Sequence, residues 1–200
     1  MQLRNSATRF GLVAISLHWL IALLFLAMIA LGLTMTALAL TDPLKFPLYQ
    51  IHKSIGVTIF ALMVLRLFWR LSGVVPPLPA TLTAFERLAA LLAHWGLYAI
   101  LIAMPLTGWV IVSASPLGIP TILYGIVKLP HIGFIAARAD KAVIEHRAEL
   151  VHALLAWSGV ALVVLHAGAA LRHHFWLGDD VMKRMLPTKA LFARGKEPGR

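Results

Sequence analysis

The sequence predicts an all-α integral membrane protein, a single bundle of four spanning helices over residues 1–200. Three observations carry that prediction. Hydrophobic residues make up 60% of the chain and charged residues only 13%, far from the balance of a soluble domain. Four apolar runs each reach the length of about 20 residues that a helix needs to cross the hydrocarbon core. Histidines stand inside those runs at intervals that return them to one helix face.

The first span is expected over about residues 11–40. It follows a polar, basic start from Met1 to Arg9. A cleaved signal peptide is the alternative there, with Thr36-Ala37-Leu38-Ala39 as a small-residue cleavage site. The run exceeds the roughly 7–15 residues of a signal core and contains His18 and Trp19, so retention is expected. Asp42-Pro43 and Pro47 then mark a turn, and the second span runs over about 49–71. A proline-rich linker, Val75-Pro76-Pro77-Leu78-Pro79, leads to the third span, about 85–113. Pro116, Gly118, Pro120, Gly125 and Pro130 break the stretch 115–149 too often for a span, while its apolar content is too high for a solvated loop. It is expected to lie along the membrane interface as short helices. The fourth span covers about 150–176, and 177–200 forms a basic tail. No internal repeat or low-complexity tract is present.

The net charge is +10 with histidine neutral, which raises nucleic acid as a partner. The positive residues flank apolar runs rather than interleave with aromatics on a polar surface, so the expected partner is the lipid bilayer and no nucleic acid. With the N-terminus inside, twelve Lys and Arg fall on the inner side and six on the outer, the latter diluted by Asp42, Asp140, Glu145 and Glu149. Both termini are therefore expected in the cytoplasm. The chain has no cysteine, which excludes thiolate-ligated iron–sulfur clusters, covalently attached haem and disulfides.

His152 and His166 lie fourteen residues apart in the fourth span. Fourteen helical residues rise about 21 Å and complete nearly four turns, so both imidazoles face one way near opposite sides of the bilayer. Ionisable groups at membrane depth are costly and rare unless functional. A neutral imidazole bound to a metal avoids the cost, because its lone pair and its N–H are both occupied. Two stacked metal centres follow, with two haems as the natural candidates. Depth places His52 beside His152 in the outer half, and His18 beside His166 in the inner half. His94 enters the third span at the depth of His18 and His166, so three histidines compete for two inner axial positions. His173 and His174 fall at the membrane exit, and His131 and His146 in the outer segment.

Further residues fit this reading. Gly159 is seven residues from both His152 and His166, where it leaves room for porphyrin edges or else lets helices pack closely. Gly56, one turn beyond His52, is of the same kind. Arg66 follows His52 by fourteen residues. At that depth its guanidinium either pairs with an anion such as a haem propionate or snorkels to the headgroups.

These segments resemble the bacterial cytochrome b561 family of four-helix, dihaem membrane cytochromes across nearly the whole chain. The resemblance is carried by Ile15-Ser16-Leu17-His18-Trp19, Ile51-His52-Lys53-Ser54-Ile55-Gly56 and Val64-Leu65-Arg66-Leu67. It continues in Ala93-His94, Ala103-Met104-Pro105-Leu106-Thr107-Gly108 and the long Leu165-His166-Ala167-Gly168-Ala169-Ala170-Leu171-Arg172-His173-His174-Phe175-Trp176. It implies a bacterial inner (plasma) membrane protein holding two b haems, with His18, His52, His152 and His166 as axial ligands and His94 without a ligand role. With two ligands per iron no coordination position stays open, which favours electron transfer over oxygen chemistry. The resemblance also implies exchange with membrane quinone, and for some members oxidation of superoxide outside with transfer to ubiquinone. The donor would be a small molecule or a protein. Lys53, beside His52, would then help draw in a small anion, or it is an ordinary interfacial lysine. The stretch 115–149 is longer and more apolar than the family pattern. A second reading is a cytochrome subunit anchoring a hydrogenase or formate dehydrogenase. A third, a metal transporter, would want carboxylates beside the histidines, and the spans carry only Glu86, at the very start of the third.

Overall fold

The computed structural model describes residues 2–79 and 82–186. Four long helices dominate it: α1 (Leu12–Ala37), α2 (Lys45–Leu71), α3 (Ala84–Ala114) and, after intervening elements, α5 (Lys141–Phe175). Between α3 and α5 come β1 (Thr121–Leu123), β2 (Val127–Leu129) and the single turn α4 (Gly133–Ala136). A 3₁₀ turn, Lys183–Met185, closes the described chain. All four long helices are long and apolar enough to cross a membrane, so the chain is a multi-pass membrane four-helix bundle.

Local chemistry sets the helix boundaries. Gly11 caps α1 and accommodates the folded-back start of the chain, since a Cβ there would collide with the backbone of Leu3 and Arg4. Thr83 and Glu86 form a reciprocal capping box at the start of α3, satisfying two otherwise orphaned donors. Glu86 also accepts from Arg172 at 3.0 Å, tying the start of α3 to the end of α5. Pro105 stands inside α3 and removes one backbone donor from its ladder.

The bundle packs α1 on α2, α2 on α3 and α3 on α5. A small core of Ile21, Ile59, Met63 and Tyr98 lies at its centre. Outside it, Leu23, Leu26, Leu154 and Leu165 stay more than half exposed. Such a surface would aggregate in water and is the lipid-facing surface of a membrane bundle.

The two ends differ. At the terminal end, Asn5 donates to the Val74 carbonyl, Trp19 to that of Met185 and Arg184 to that of Pro77. At the opposite, hairpin end, β1 and β2 pair antiparallel in the register Thr121↔Leu129, Ile122↔Lys128, Leu123↔Val127. Tyr124 and Gly125 at its tip both have positive φ (51° and 73°), as a type I′ turn requires.

This corrects the expectation for 115–149. Instead of short helices alone, the segment forms a hairpin and one helical turn, and α5 begins at Lys141, well before the expected 150. The apolar run marks only the part of α5 facing lipid. The remainder is polar helix beyond it, and 35 residues at 1.5 Å each give about 52 Å, longer than a bilayer core. The other spans agree with their expected bounds to within a few residues. Most of the expected basic tail, from 187 on, lies outside the described residues.

Candidate functional site

At the hairpin-end level, His52 of α2 faces His152 of α5 with ring centres 6.4 Å apart and planes at 59°. The Thr107 hydroxyl of α3 donates to the Met104 carbonyl at 2.8 Å. Its single proton is thereby committed. The contact from Thr107 Oγ1 to His152 Nδ1, also 2.8 Å, therefore has the ring nitrogen as donor. His152 is thus fixed with its proton on Nδ1 and a lone pair on Nε2. Nδ1 of His52 is buried with no hydrogen-bond partner among the described residues. The other two helices bring glycines to this level. Gly32 of α1 lies against His52 and Gly108 of α3 against His152, and a Cβ on either would stand 3.6 Å from the ring.

At the terminal-end level, the ring centres of His18 and His166 are 6.1 Å apart at 65°. His94 lies closer to His166, at 5.2 Å and 70°, as an edge contact. Arg66 donates to the Ala14 carbonyl at 3.0 Å and approaches His18 Nδ1 at 3.3 Å. A guanidinium can only donate, so His18 Nδ1 accepts and its proton is on Nε2. Arg66 and Arg70 both stack on Tyr98, at 5.9 and 5.7 Å, and neither has a carboxylate partner among the described residues.

Together these contacts give a two-level register. Each long helix places one residue at each level, fourteen positions apart: His18 and Gly32, His52 and Arg66, His94 and Gly108, His152 and His166. The structure therefore brings together the four singled-out histidines, with Arg66 and His94 at the terminal-end level. It puts other neighbours around the remaining candidates. A Cβ on Gly159 would crowd Phe25 and Ile100, at 3.0 and 3.3 Å, whereas one on Gly56 would meet only the end of Met28, at 3.7 Å. Lys53 donates to the Pro120 carbonyl at 3.4 Å. His173 pairs with Asp179 at the terminal end. Reading the sequence missed Gly32, and took Thr107 and Gly108 only as part of a motif. The fourteen-residue interval from His18 and from His94 marks the two glycines.

Residues 9–188 match the family described as prokaryotic cytochrome b561. The chain belongs to that family. Cytochrome b561 homolog 2 of Escherichia coli (strain K12) is 36% identical over 189 residues, covering 93% of this chain and 95% of the relative. The probable superoxide oxidase CybB of Yersinia pestis is 30% identical over 182 residues, 90% of this chain and 97% of its own length. Cytochrome b561 homolog 1 of Escherichia coli (strain K12) is 31% identical over 194 residues, covering 90% and 98%. As a prokaryotic cytochrome b561, the chain is a bacterial multi-pass membrane protein of transmembrane electron transfer that uses b-type haem.

Proposed function

We propose that the chain holds two b haems, one between His52 and His152 and one between His18 and His166, and passes electrons between them across the membrane. The observation that carries this is the pair of ring separations, 6.4 and 6.1 Å, one at each level. Two imidazole nitrogens that each reached one metal at about 2 Å would leave their ring centres about 6 Å apart. His94, at 5.2 Å from His166, is too close for that arrangement and is assigned a hydrogen-bonding role. A bare ion fits less well. Among the described residues no group of three or more His, Cys, Asp and Glu comes together, whereas bare protein-held zinc takes three or four side chains.

Haem supplies one-electron chemistry, and the chain sets its ligation, spacing and surroundings. His152 presents Nε2 because Thr107 holds its Nδ1 proton. Gly32 and Gly108 leave the backbone of α1 and α3 open beside the hairpin-end pair. Were His18 to hold haem through Nε2, its proton would sit on Nδ1 and the Arg66 guanidinium would have to leave that nitrogen. A propionate is the matching destination for Arg66, with Arg70 beside it.

In this reading the excess of Lys and Arg in the segments expected inside supports both termini in the cytoplasm, with the hairpin end outside. Lys53 at the Pro120 carbonyl, and Lys128 and His131 around a cleft of about 400 Å³ that Pro120 also lines, draw a small anion to that end. Superoxide is such an anion, and a relative carries the name superoxide oxidase. Two superoxide anions oxidised to dioxygen release two electrons, which with two protons reduce one membrane quinone such as ubiquinone to its quinol. Relay for a hydrogenase or formate dehydrogenase is not favoured, because the relatives matched end to end are b561 homologs and a superoxide oxidase. The test is a reduced-minus-oxidised optical spectrum of the purified protein with haem quantitation. Two b haems per chain are expected; one or none would overturn the paired-site reading.

A further inference from the structure

The hairpin between α3 and α5 docks on a face of α2 that has no business being polar if it faces lipid. Gln50, Ser54 and Thr58 follow one another at intervals of four and form one stripe. His52 lies two residues from Gln50 and from Ser54, on the opposite side of the helix. The hairpin answers every member of the stripe. Gln50 donates to the Pro120 carbonyl at 2.9 Å and accepts from the Ile122 backbone N–H at 3.2 Å. Ser54 accepts from the Tyr124 backbone N–H at 3.0 Å. Thr58 and the Tyr124 hydroxyl are 2.6 Å apart. Ser54 is left 1% exposed and Thr121 2% exposed under this cover.

Depth follows from α2 alone. The helix has 27 residues, Lys45–Leu71, and a hydrocarbon core takes about 20. Even the shortest spanning window, about 17 residues, includes residues 55–61 of α2 in every placement, so Thr58 lies in the hydrocarbon region wherever the bilayer is centred, with Ser54 near its edge and the Lys53 ammonium able to reach the headgroups. The backbone of the hairpin tip is at the level of Ser54, and the Tyr124 ring reaches the level of Thr58. Non-helical backbone survives at membrane depth only where its polar groups are satisfied by protein. Here the strand ladder, the Ile126 N–H to Leu123 carbonyl bond of 2.9 Å and the α2 stripe do so. The outward face of the tip is apolar, with Ile126 84% and Val127 57% exposed. Lys128 stands across from Ile122 towards the base, and its long stem lets the ammonium reach the headgroups.

We propose that the hairpin is re-entrant: its tip dips from the hairpin-end surface into the bilayer, with α2 on one side and lipid acyl chains on the other. It rests on α2 spanning the membrane and is independent of where haem binds. The absence of cysteine allows single spin labels. Ile126→Cys and, as a second tip variant, Val127→Cys are labelled with a nitroxide in the full-length protein. Leu154→Cys on the lipid face of α5 and Ala139→Cys beside the Arg138–Asp140 ion pair serve as apolar and aqueous references. Each protein is placed in nanodiscs of phosphatidylethanolamine and phosphatidylglycerol, after a helical circular dichroism spectrum confirms folding. Collision of the label with oxygen and with a water-soluble nickel chelate is then compared. The expected result is oxygen dominance at both tip positions, matching Leu154→Cys, with the reverse at Ala139→Cys. Nickel dominance at the tip would overturn the proposal and return the hairpin to water. Labels that neither reagent reaches would also overturn it, since the tip would then be covered by protein such as a second copy.

Discussion

Thr107 has a single hydroxyl proton, and the Met104 carbonyl takes it. What remains for His152 is an acceptor, which raises the electron-donating power of the ring on its far side. Thr107→Val keeps the shape and removes the acceptor. A ligand of lower basicity stabilises ferric iron less, so the midpoint potential of the hairpin-end haem should rise. A hydrogen bond worth about 1 kcal/mol corresponds to roughly 20–60 mV when its loss weighs unequally on the two oxidation states. Optical redox titration measures it, and Thr107→Ser should restore the original value; no shift in Thr107→Val would reject the role. His94 gives a second prediction at this scale. His94→Ala should keep both haems, whereas His18→Ala should lose the one at the terminal-end level, as haem quantitation would record. The opposite pattern would transfer the ligand role from α1 to α3. The histidines were legible in the sequence because a polar group in an apolar run stands out. Thr107 was not, because threonine is ordinary in a membrane helix and its importance comes from a contact 45 positions away.

The long helices were legible as elements, since length and apolarity alone select them. The first nine residues of α5 were not, because Lys141–Glu149 is polar helix outside the apolar run that marks a span. The hairpin had a local signal in Thr121-Ile122-Leu123 and Ile126-Val127-Lys128-Leu129 around Tyr124-Gly125. The surrounding prolines masked it. The stripe Gln50, Ser54, Thr58 was the stronger clue, since three hydrogen-bonding side chains on one side of a lipid-spanning helix demand a partner. Helix α5 carries the element-scale prediction. His152→Ala should remove only the haem at the hairpin-end level and His166→Ala only the one at the terminal-end level, each leaving about one haem per chain. Because haem stabilises only the folded state that binds it, the measurement is made with haem in excess during expression. Loss of the same haem from both variants would contradict the two-level register.

For the whole molecule, the terminal end is closed by the segment after α5, where Asp179 faces His173. Partial burial pushes the Asp179 carboxyl up, but the Val181 backbone N–H and the His173 ring outweigh it and hold it below the usual carboxylate range. A carboxylate with a lowered native pKa contributes stability that is fully present above its unfolded value, about 3.9, and is lost as pH falls through the lowered one. Thermal melts should therefore show an acid-side loss that Asp179→Asn removes, with a melting temperature about 2–4 °C lower at neutral pH and little difference near pH 2. A variant as stable as the parent at neutral pH would show that the closure adds nothing. If each histidine pair holds a haem as proposed, α5 has a consequence for the distance electrons travel. His152 and His166 are joined by one uninterrupted ladder of backbone hydrogen bonds, and such a ladder hardly stretches. Repacking against α1, α2 or α3 can tilt or slide α5, but it moves both imidazoles together and leaves the about 21 Å between their anchor points unchanged. With a haem at each level, the helix would act as a gauge bar: sequence drift would be free to retune either potential through neighbours such as Thr107 and Arg66, while the gap between the two levels is held by the helical pitch of a single chain segment.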